Sequence, residues 1–306
     1  MVNRVAMVAL GGNALIADDQ HKSFPDQFER MRLTAVRIVD MIEQGWDMVI
    51  THGNGPQVGF CLLSSELARG VVGEVPMDVC VADTQGSLGY MIQQQLRNEF
   101  LRRGLAKEIA TIVTQVLVDP RDEAFQHPTK PVGPFYREDQ ARERAFRDGW
   151  TIAEDAGRGW RRVVPSPKPQ RVLEVEAIRA LVMRGFVVIG AGGGGIPVVV
   201  DANGQLRGLP AVVDKDYASS LLGVSLGADL LLIATAVEKV ALNYRKPDQV
   251  DLDKVSIADA ERYLAEEHFP AGSMKPKIEA CIQFVRATGN PALITSLEAI
   301  GQALAG

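Results

Sequence analysis

The sequence predicts an α/β fold, a three-layer αβα sandwich around a mostly parallel central sheet, with a small protruding subdomain. Three observations carry that expectation. Short apolar runs alternate with helix-length amphipathic segments along most of the chain. Three of those runs lead straight into glycine-rich turns. One stretch, residues 119–170, breaks the alternation and holds seven of the chain's 16 prolines.

The elements follow in order. Residues 5–10 are continuously apolar, as a strand buried on both faces requires. Residues 26–44 place Phe28, Met31, Ala35, Val39 and Ile42 at helical spacing, and Gly45 stands where such a helix stops. A strand at 47–51, helices around 58–69 and 77–103, and one β-branched strand at 109–118 come next. Farther on, a helix at 174–184 ends at Gly185, a strand fills 186–189, and Asn203-Gly204 reads as a hairpin turn. A helix at 217–225, a strand at 230–234, helices at 257–267 and 276–288, a strand at 291–295 and a last helix complete the chain. Strands separated by helices need crossovers, hence the parallel sheet. Residues 1–306 are therefore expected to form one α/β domain. The stretch 119–170 is too long for a connection, and its prolines deny the backbone donors a regular ladder needs. Helical patterning at 137–147 makes it a subdomain inserted in that domain rather than a linker.

Composition removes several functional classes. The 306 residues are 46% hydrophobic and 23% charged, which excludes disordered and collagen-like chains. A net charge of −5 without a basic stripe argues against a nucleic-acid partner. Cys61, Cys80 and Cys281 are odd in number and far apart, which fits a reducing, cytoplasmic setting and no disulfide framework. His21, His52, His127 and His268 lack HxxxH or HExxH spacing, so zinc hydrolysis has no support. No apolar stretch reaches membrane-spanning length. The N-terminal apolar run is interrupted by Gly11, Gly12 and Asn13 and reads as a buried strand rather than a signal peptide.

The glycine turns carry the chemistry. Val8–Leu10 leads to Gly11-Gly12-Asn13, Val49–Thr51 to Gly53-Asn54-Gly55, and Val187–Ile189 to a glycine run from Gly190 to Gly195. In a parallel sheet these loops share the edge where ligands bind, and glycine lets backbone N–H groups face an anion. One such turn is merely a tight loop; three on one edge point to a phosphate or small-anion site. There is no GxxxxGK[ST] P-loop. The run at 190–195 satisfies GxGxxG, but β-branched residues follow it where a dinucleotide fingerprint needs a helix. Lysine is scarce, 10 of 33 basic residues, and three lysines stand at informative places. Lys130 lies between prolines, Lys215 at a strand-to-helix transition, and Lys277 at a helix start, where a cation opposes the macrodipole. Singly, each reads as a surface lysine, and Asp214 and Asp216 as helix caps. Beside anion-cradling loops they suggest phosphoryl transfer, with Asp214 and nearby Asp216 orienting the lysines or holding Mg²⁺.

With those residues in view, the chain resembles the carbamate kinases of the amino acid kinase superfamily along nearly its whole length. The resemblance rests on ALGGNAL (9–15), THGNGPQVG (51–59), PTKPVGPFY (128–136), VVPSPKP (163–169), GGGGIPV (192–198), AVVDKDYAS (211–219) and FPAGSMKPKIEA (269–280). HGNGPQVG, TKPVGPFY and GSMxPK together form a specific set. The resemblance implies reversible phosphoryl transfer between ATP and carbamate, giving carbamoyl phosphate and ADP. It further implies the ATP-forming direction in arginine or related nitrogen catabolism, Mg²⁺ bridging the nucleotide phosphates, and a homodimer. By the same resemblance Gly11, Gly12, Asn13, Gly53 and Asn54 hold carbamate and the moving phosphoryl group. Lys215 and Lys277 contact the nucleotide phosphates, Asp214 organises the lysines, and Lys130 closes over the carbamoyl phosphate end. Gly193, Gly194, Tyr244 and Met274 join Lys215 and Lys277 at the nucleotide. Carbamate has no side chain, so backbone amides and lysines suffice to recognise it. Three departures stand out: residues 81–86 lack the family's usual serine, Lys275 replaces a small or apolar residue, and Glu123 replaces a common proline. The alternatives are another small-acid or nucleotide kinase of this fold, or a nucleotide-binding regulator without turnover.

Overall fold

Along the chain the elements are β1 (Arg4–Leu10), α1 (Phe24–Glu43), β2 (Trp46–His52), α2 (Gly55–Ala68), α3 (Met77–Arg103), β3 (Ile109–Thr111), β4 (Gln115–Val118) and β5 (Lys130–Tyr136). Then come α4 (Glu138–Asp148), β6 (Thr151–Glu154), β7 (Trp160–Val164), β8 (Pro169–Val172), α5 (Val175–Val182), β9 (Val187–Ile189), β10 (Ile196–Val200), β11 (Leu206–Gly208) and α6 (Lys215–Leu226). The chain closes with β12 (Leu230–Thr235), β13 (Val240–Leu242), β14 (Val250–Leu252), α7 (Ile257–Ala265), α8 (Met274–Thr288), β15 (Ala292–Ser296) and α9 (Ile300–Ala305). This computed structural model describes residues 4–12, 23–155, 159–270 and 272–305.

Among the described residues the largest sheet has the order β15-β12-β1-β2-β9-β3, with every neighbouring pair parallel. Its central strands are buried almost throughout because both faces are covered. Alternate residues of β1 serve the two faces. Ala6, Val8 and Leu10 pack with Met31 and Ile38 of α1 and Leu88 of α3. Met7 and Ala9 pack on the opposite side with Leu222 of α6 and Phe284 of α8. The sandwich of three layers follows directly from that alternation.

Most elements lie within a few residues of their expected positions, and the differences have local causes. α1 starts at Phe24 rather than at residue 26, because Ser23 caps it and Asp26 closes the capping box back onto Ser23. The single strand expected at 109–118 is two. β3 ends the large sheet, whereas β4 belongs to a second sheet of order β11-β10-β4-β8. The chain changes sheets at Thr114, whose N–H donates to the Gln85 side chain and whose carbonyl accepts from it. Nothing in the β-branched pattern of 109–118 announces a partner 29 residues away. The glycine run, as expected, opens no helix: one 3₁₀ turn at Gly192–Gly194 leads into β10, which pairs antiparallel with β11 around the Asn203-Gly204 turn.

Inside the proline-dense stretch a three-stranded antiparallel sheet forms in the order β5-β7-β6, with α4 between β5 and β6 in sequence. β8 then returns to the second sheet beside β4. The prolines fall where ladders tolerate them, since β5 and β8 are both edge strands. β5 sits on α2 at one very close backbone approach. A methyl group built on Gly59 would lie 1.9 Å from the Gly133 Cα. Gly59→Ala therefore forces β5 off α2. We expect amide hydrogen exchange to quicken in β5 and β7 while β1, β2 and β12 keep wild-type protection. Unchanged exchange across β5–β7 counts against the contact.

Candidate active site

The glycine loops begin as continuations of the sheet. Register pairs Leu10 with both His52 and Ala234, so β1, β2 and β12 end level. The Gly11 N–H donates to the Ala234 carbonyl at 3.0 Å, Gly53 to Leu10 at 3.0 Å, and Gly190 to Ile50 at 2.9 Å. Gly11 admits no side chain, because a methyl group there would stand 2.7 Å from the Ala234 oxygen. Gly12 borders open space. Asn13 lies outside the described residues.

α2 starts immediately after the second loop. Asn54 occupies its N-cap position but makes no capping bond; its Nδ2 donates instead to Thr84 Oγ1 at 2.9 Å. The first-turn N–H groups of α2, which have no intrahelical acceptor, therefore remain for an incoming anion. α8 likewise begins without a side-chain cap at Ser273.

Above these loops stands the charged cluster. Lys215 is the first residue of α6, and its aliphatic stem crosses Gly53, with Cδ 3.5 Å from where a Gly53 side chain would begin. Its ammonium donates to Asp216 Oδ1, and Lys277 of α8 donates to Asp216 Oδ2 at 2.7 Å. Asp216 is 3% exposed. Burial disfavours its charge, but the flanking Lys215 and Lys277 ammoniums outweigh that and hold the carboxyl well below the usual aspartate range. Burial pushes Lys215 the other way, below the usual lysine range, against the attraction of Asp216. Lys130, at the start of β5, reaches Asp214 Oδ2 at 2.5 Å. Asp214 caps α6 with its other oxygen, accepting the Asp216 N–H at 2.9 Å. The organising task expected of Asp214 is thus divided. Asp214 holds Lys130, while Asp216 holds Lys215 and Lys277 side by side.

The remaining expected residues are placed less evenly. Gly193 and Gly194 are buried, one against Asn54 and the other against Val213. A methyl group on Gly193 would meet Asn54 Nδ2 at 2.2 Å, and one on Gly194 the Val213 oxygen at 2.4 Å. They pack against the Asn54 loop and the segment that leads into Lys215. Met274 opens α8 and packs on Val240, Phe269 and Ile278. Those three help line a mainly apolar cavity of about 320 Å³ with Cys281, Ile282 and Ile294. Burial pushes the Cys281 thiol up to about 12, with the Asp216 carboxylate adding to the effect. Cys281 lies one helical turn beyond Lys277 on α8, so one helix serves both the cavity and the lysine pair. Tyr244 is 45% exposed in the turn between β13 and β14, its ring beneath the Arg245 guanidinium at 5.3 Å.

Sequence reasoning assigned no role to Thr84 and Gln85, in the segment that departs from the family pattern. Thr84 anchors Asn54, and the buried Gln85 amide donates to the Thr114 and Gly192 carbonyls, each at 3.0 Å. A buried glutamine with every polar atom satisfied has no one-dimensional signature. Among the described residues no cluster of three or more His, Cys, Asp or Glu side chains suits a metal ion.

Asp216→Asn would leave two buried ammoniums without their carboxylate, a change that costs about 3–5 kcal/mol. The depressed folded pKa fixes the sign with pH. Asp216 contributes fully above the unfolded value of about 3.9, and the contribution disappears as pH falls through the lower folded value. Urea titrations should therefore show a gap between wild type and variant at pH 7 that narrows below about pH 3.9. A gap independent of pH, or none at pH 7, contradicts the ion-pair account.

Comparison with known proteins fits this arrangement. The amino acid kinase family model matches residues 4–296. The carbamate kinase of Thermococcus kodakarensis is 50% identical over 303 residues, covering 98% of this chain and 96% of that relative. The structure of carbamate kinase from Giardia lamblia bound to citric acid superposes with a TM-score of 0.94 at 41% identity, covering 100% of this chain and 96% of that one. The same Giardia enzyme bound to AMP-PNP gives a TM-score of 0.91 at 42% identity, again over 100% and 96% of the two chains. The chain belongs to the amino acid kinase family, and within it to the carbamate kinases.

Proposed function

We propose that this carbamate kinase works as an ATP-forming enzyme, moving the phosphoryl group of carbamoyl phosphate to ADP on the Lys215–Asp216–Lys277 cluster. The observation that carries the reading is the buried Asp216 carboxylate, which holds two ammoniums together at the junction of the glycine loops. In the reaction a β-phosphate oxygen of ADP attacks phosphorus, the bond from phosphorus to the carbamate oxygen breaks, and carbamate leaves with that electron pair. The attacking oxygen is already anionic, so no general base is needed. Charge accumulates on the equatorial oxygens, and positioned cations stabilise it. Lys215 and Lys277 face that charge. Lys130, carried by β5, approaches from the carbamoyl phosphate side. Gly11, Gly12, Asn13, Gly53 and Asn54, with the open N-terminus of α2, receive the small substrate.

The nucleotide phosphates lie toward the start of α8, and the purine packs in the apolar cavity whose Val240, Phe269 and Ile278 belong to the same cluster as Met274, with exposed Tyr244 of the β13–β14 turn as a further contact. Gly193 and Gly194 support this site from below rather than touching the nucleotide. Asp214 and Asp216 are both engaged by lysines, so Mg²⁺ would be held by the nucleotide phosphates and would supply charge neutralisation there. Carbamoyl phosphate is a mixed anhydride with higher transfer potential than ATP, which favours ATP formation and a place at the end of arginine or related nitrogen catabolism. A cytoplasmic homodimer, and a proline-dense unit at 119–170 that closes over the substrate, complete the proposal.

Purified protein given ADP and carbamoyl phosphate should form ATP. Lys215→Ala should lower kcat by about 10²–10³, the loss typical for removing one group that stabilises developing charge. Faster phosphorylation of an amino acid, an acetylated amino acid or UMP than of carbamate would shift the assignment to a sister kinase. Tight ATP binding without turnover would make the chain a regulator.

A further inference from the structure

His52 ends β2 inside the HGNG motif, fully buried, and the chemistry above assigns it nothing. Its Nδ1 lies 3.1 Å from the Gly53 carbonyl oxygen. A carbonyl only accepts, so Nδ1 carries the proton and Nε2 presents a bare lone pair. That Nε2 is buried and has no hydrogen-bond partner. It is aimed at the Gly192 turn, where a methyl group on Gly192 would lie 2.3 Å away. An unsatisfied buried acceptor costs about 1–3 kcal/mol, so a leucine filling the same space should fold better. What leucine lacks is the donor to Gly53. The Gly53 carbonyl and the Asn54 N–H share one planar trans peptide and point in opposite directions. Holding the carbonyl on the His52 side therefore holds the Asn54 N–H on the opposite side of the peptide. Burial lowers the imidazole pKa to about 4, with the Lys215 ammonium, the charged group acting on it, pushing the same way. The ring therefore adds no charge near the phosphoryl path.

We propose that His52 is a positioning residue for the carbamoyl phosphate site, its Nδ1–H imidazole fixing the peptide that aims the Asn54 N–H while its ring braces the Gly192 turn. The proposal rests on the functional reading above and concerns one of the two substrates only.

Two measurements test it. In ¹⁵N-histidine-labelled wild-type protein, one of the ring signals should show the neutral Nδ1–H tautomer and stay uncharged from pH 8 to pH 5. Its loss in His52→Asn would assign it. In ATP-forming kinetics, His52→Leu should raise KM for carbamoyl phosphate about tenfold, as for one lost hydrogen bond, and leave KM for ADP within about twofold. His52→Asn, whose Nδ2 can take the Nδ1 position, should stay within about threefold of wild type for both substrates. A charged or Nε2–H ring overturns the proposal, as does a parallel rise in both KM values or an asparagine no better than leucine. The wild-type spectrum decides the tautomer even where a variant fails to fold. A wild type that forms no ATP overturns the functional reading itself, whereas a working wild type with a substrate-blind leucine variant overturns His52 alone.

Discussion

A single buried carboxylate sets the geometry of this protein's working end. Asp216 sits in the first turn of α6, and it joins a lysine of its own helix to one from α8. Two ammoniums that close repel, and burial penalises them further; only a desolvated counter-charge keeps both in place. Everything nearby is arranged around that pair. Asp214 fixes the first turn of α6 and takes the third lysine, and the glycines let the Lys215 stem lie flat against backbone. An anion entering this site meets cations already assembled, so little reorganisation is left for the moment of transfer.

The second constraint is steric. Four glycine positions, Gly11, Gly192, Gly193 and Gly194, stand where a methyl group would strike a carbonyl, His52, Asn54 or Val213. Three loops from different strands thereby approach within van der Waals distance and behave as one floor. Gln85 and Thr84 clamp that floor from α3, so the longest helix among the described residues serves as its beam.

Much of this was legible from residues alone, and what escaped did so for identifiable reasons. The large sheet was readable because strands covered on both faces carry unbroken apolar runs, as Val5–Leu10 in β1 and Leu230–Ala234 in β12. The lysines stood out because lysine is scarce beside arginine and because Lys130 and Lys277 occupy unusual local settings. Choosing between Asp214 and Asp216 was beyond sequence. Both flank Lys215, and only the direction of the first helical turn sends one to the cap and the other into the interior. The break at Thr114 and the service of Gln85 were hidden for a related reason, since each is made by a hydrogen bond between distant parts of the chain. Local pattern records burial and propensity; it does not record a pairing whose partner is elsewhere.

The bare contact between Gly59 and Gly133 has a mechanical meaning. Around it the side chains of Val58 and Leu62 from α2 and Val132 from β5 join one apolar cluster, so the three-stranded sheet is seated firmly on the helix. Farther along the helix Glu66 pairs with Arg162 of β7 and Arg144 of α4. Such a seat transmits displacement, because helix and small sheet travel as one piece. Lys130, the first residue of β5, is thereby tied to Asn54, where α2 begins beside the glycine loops.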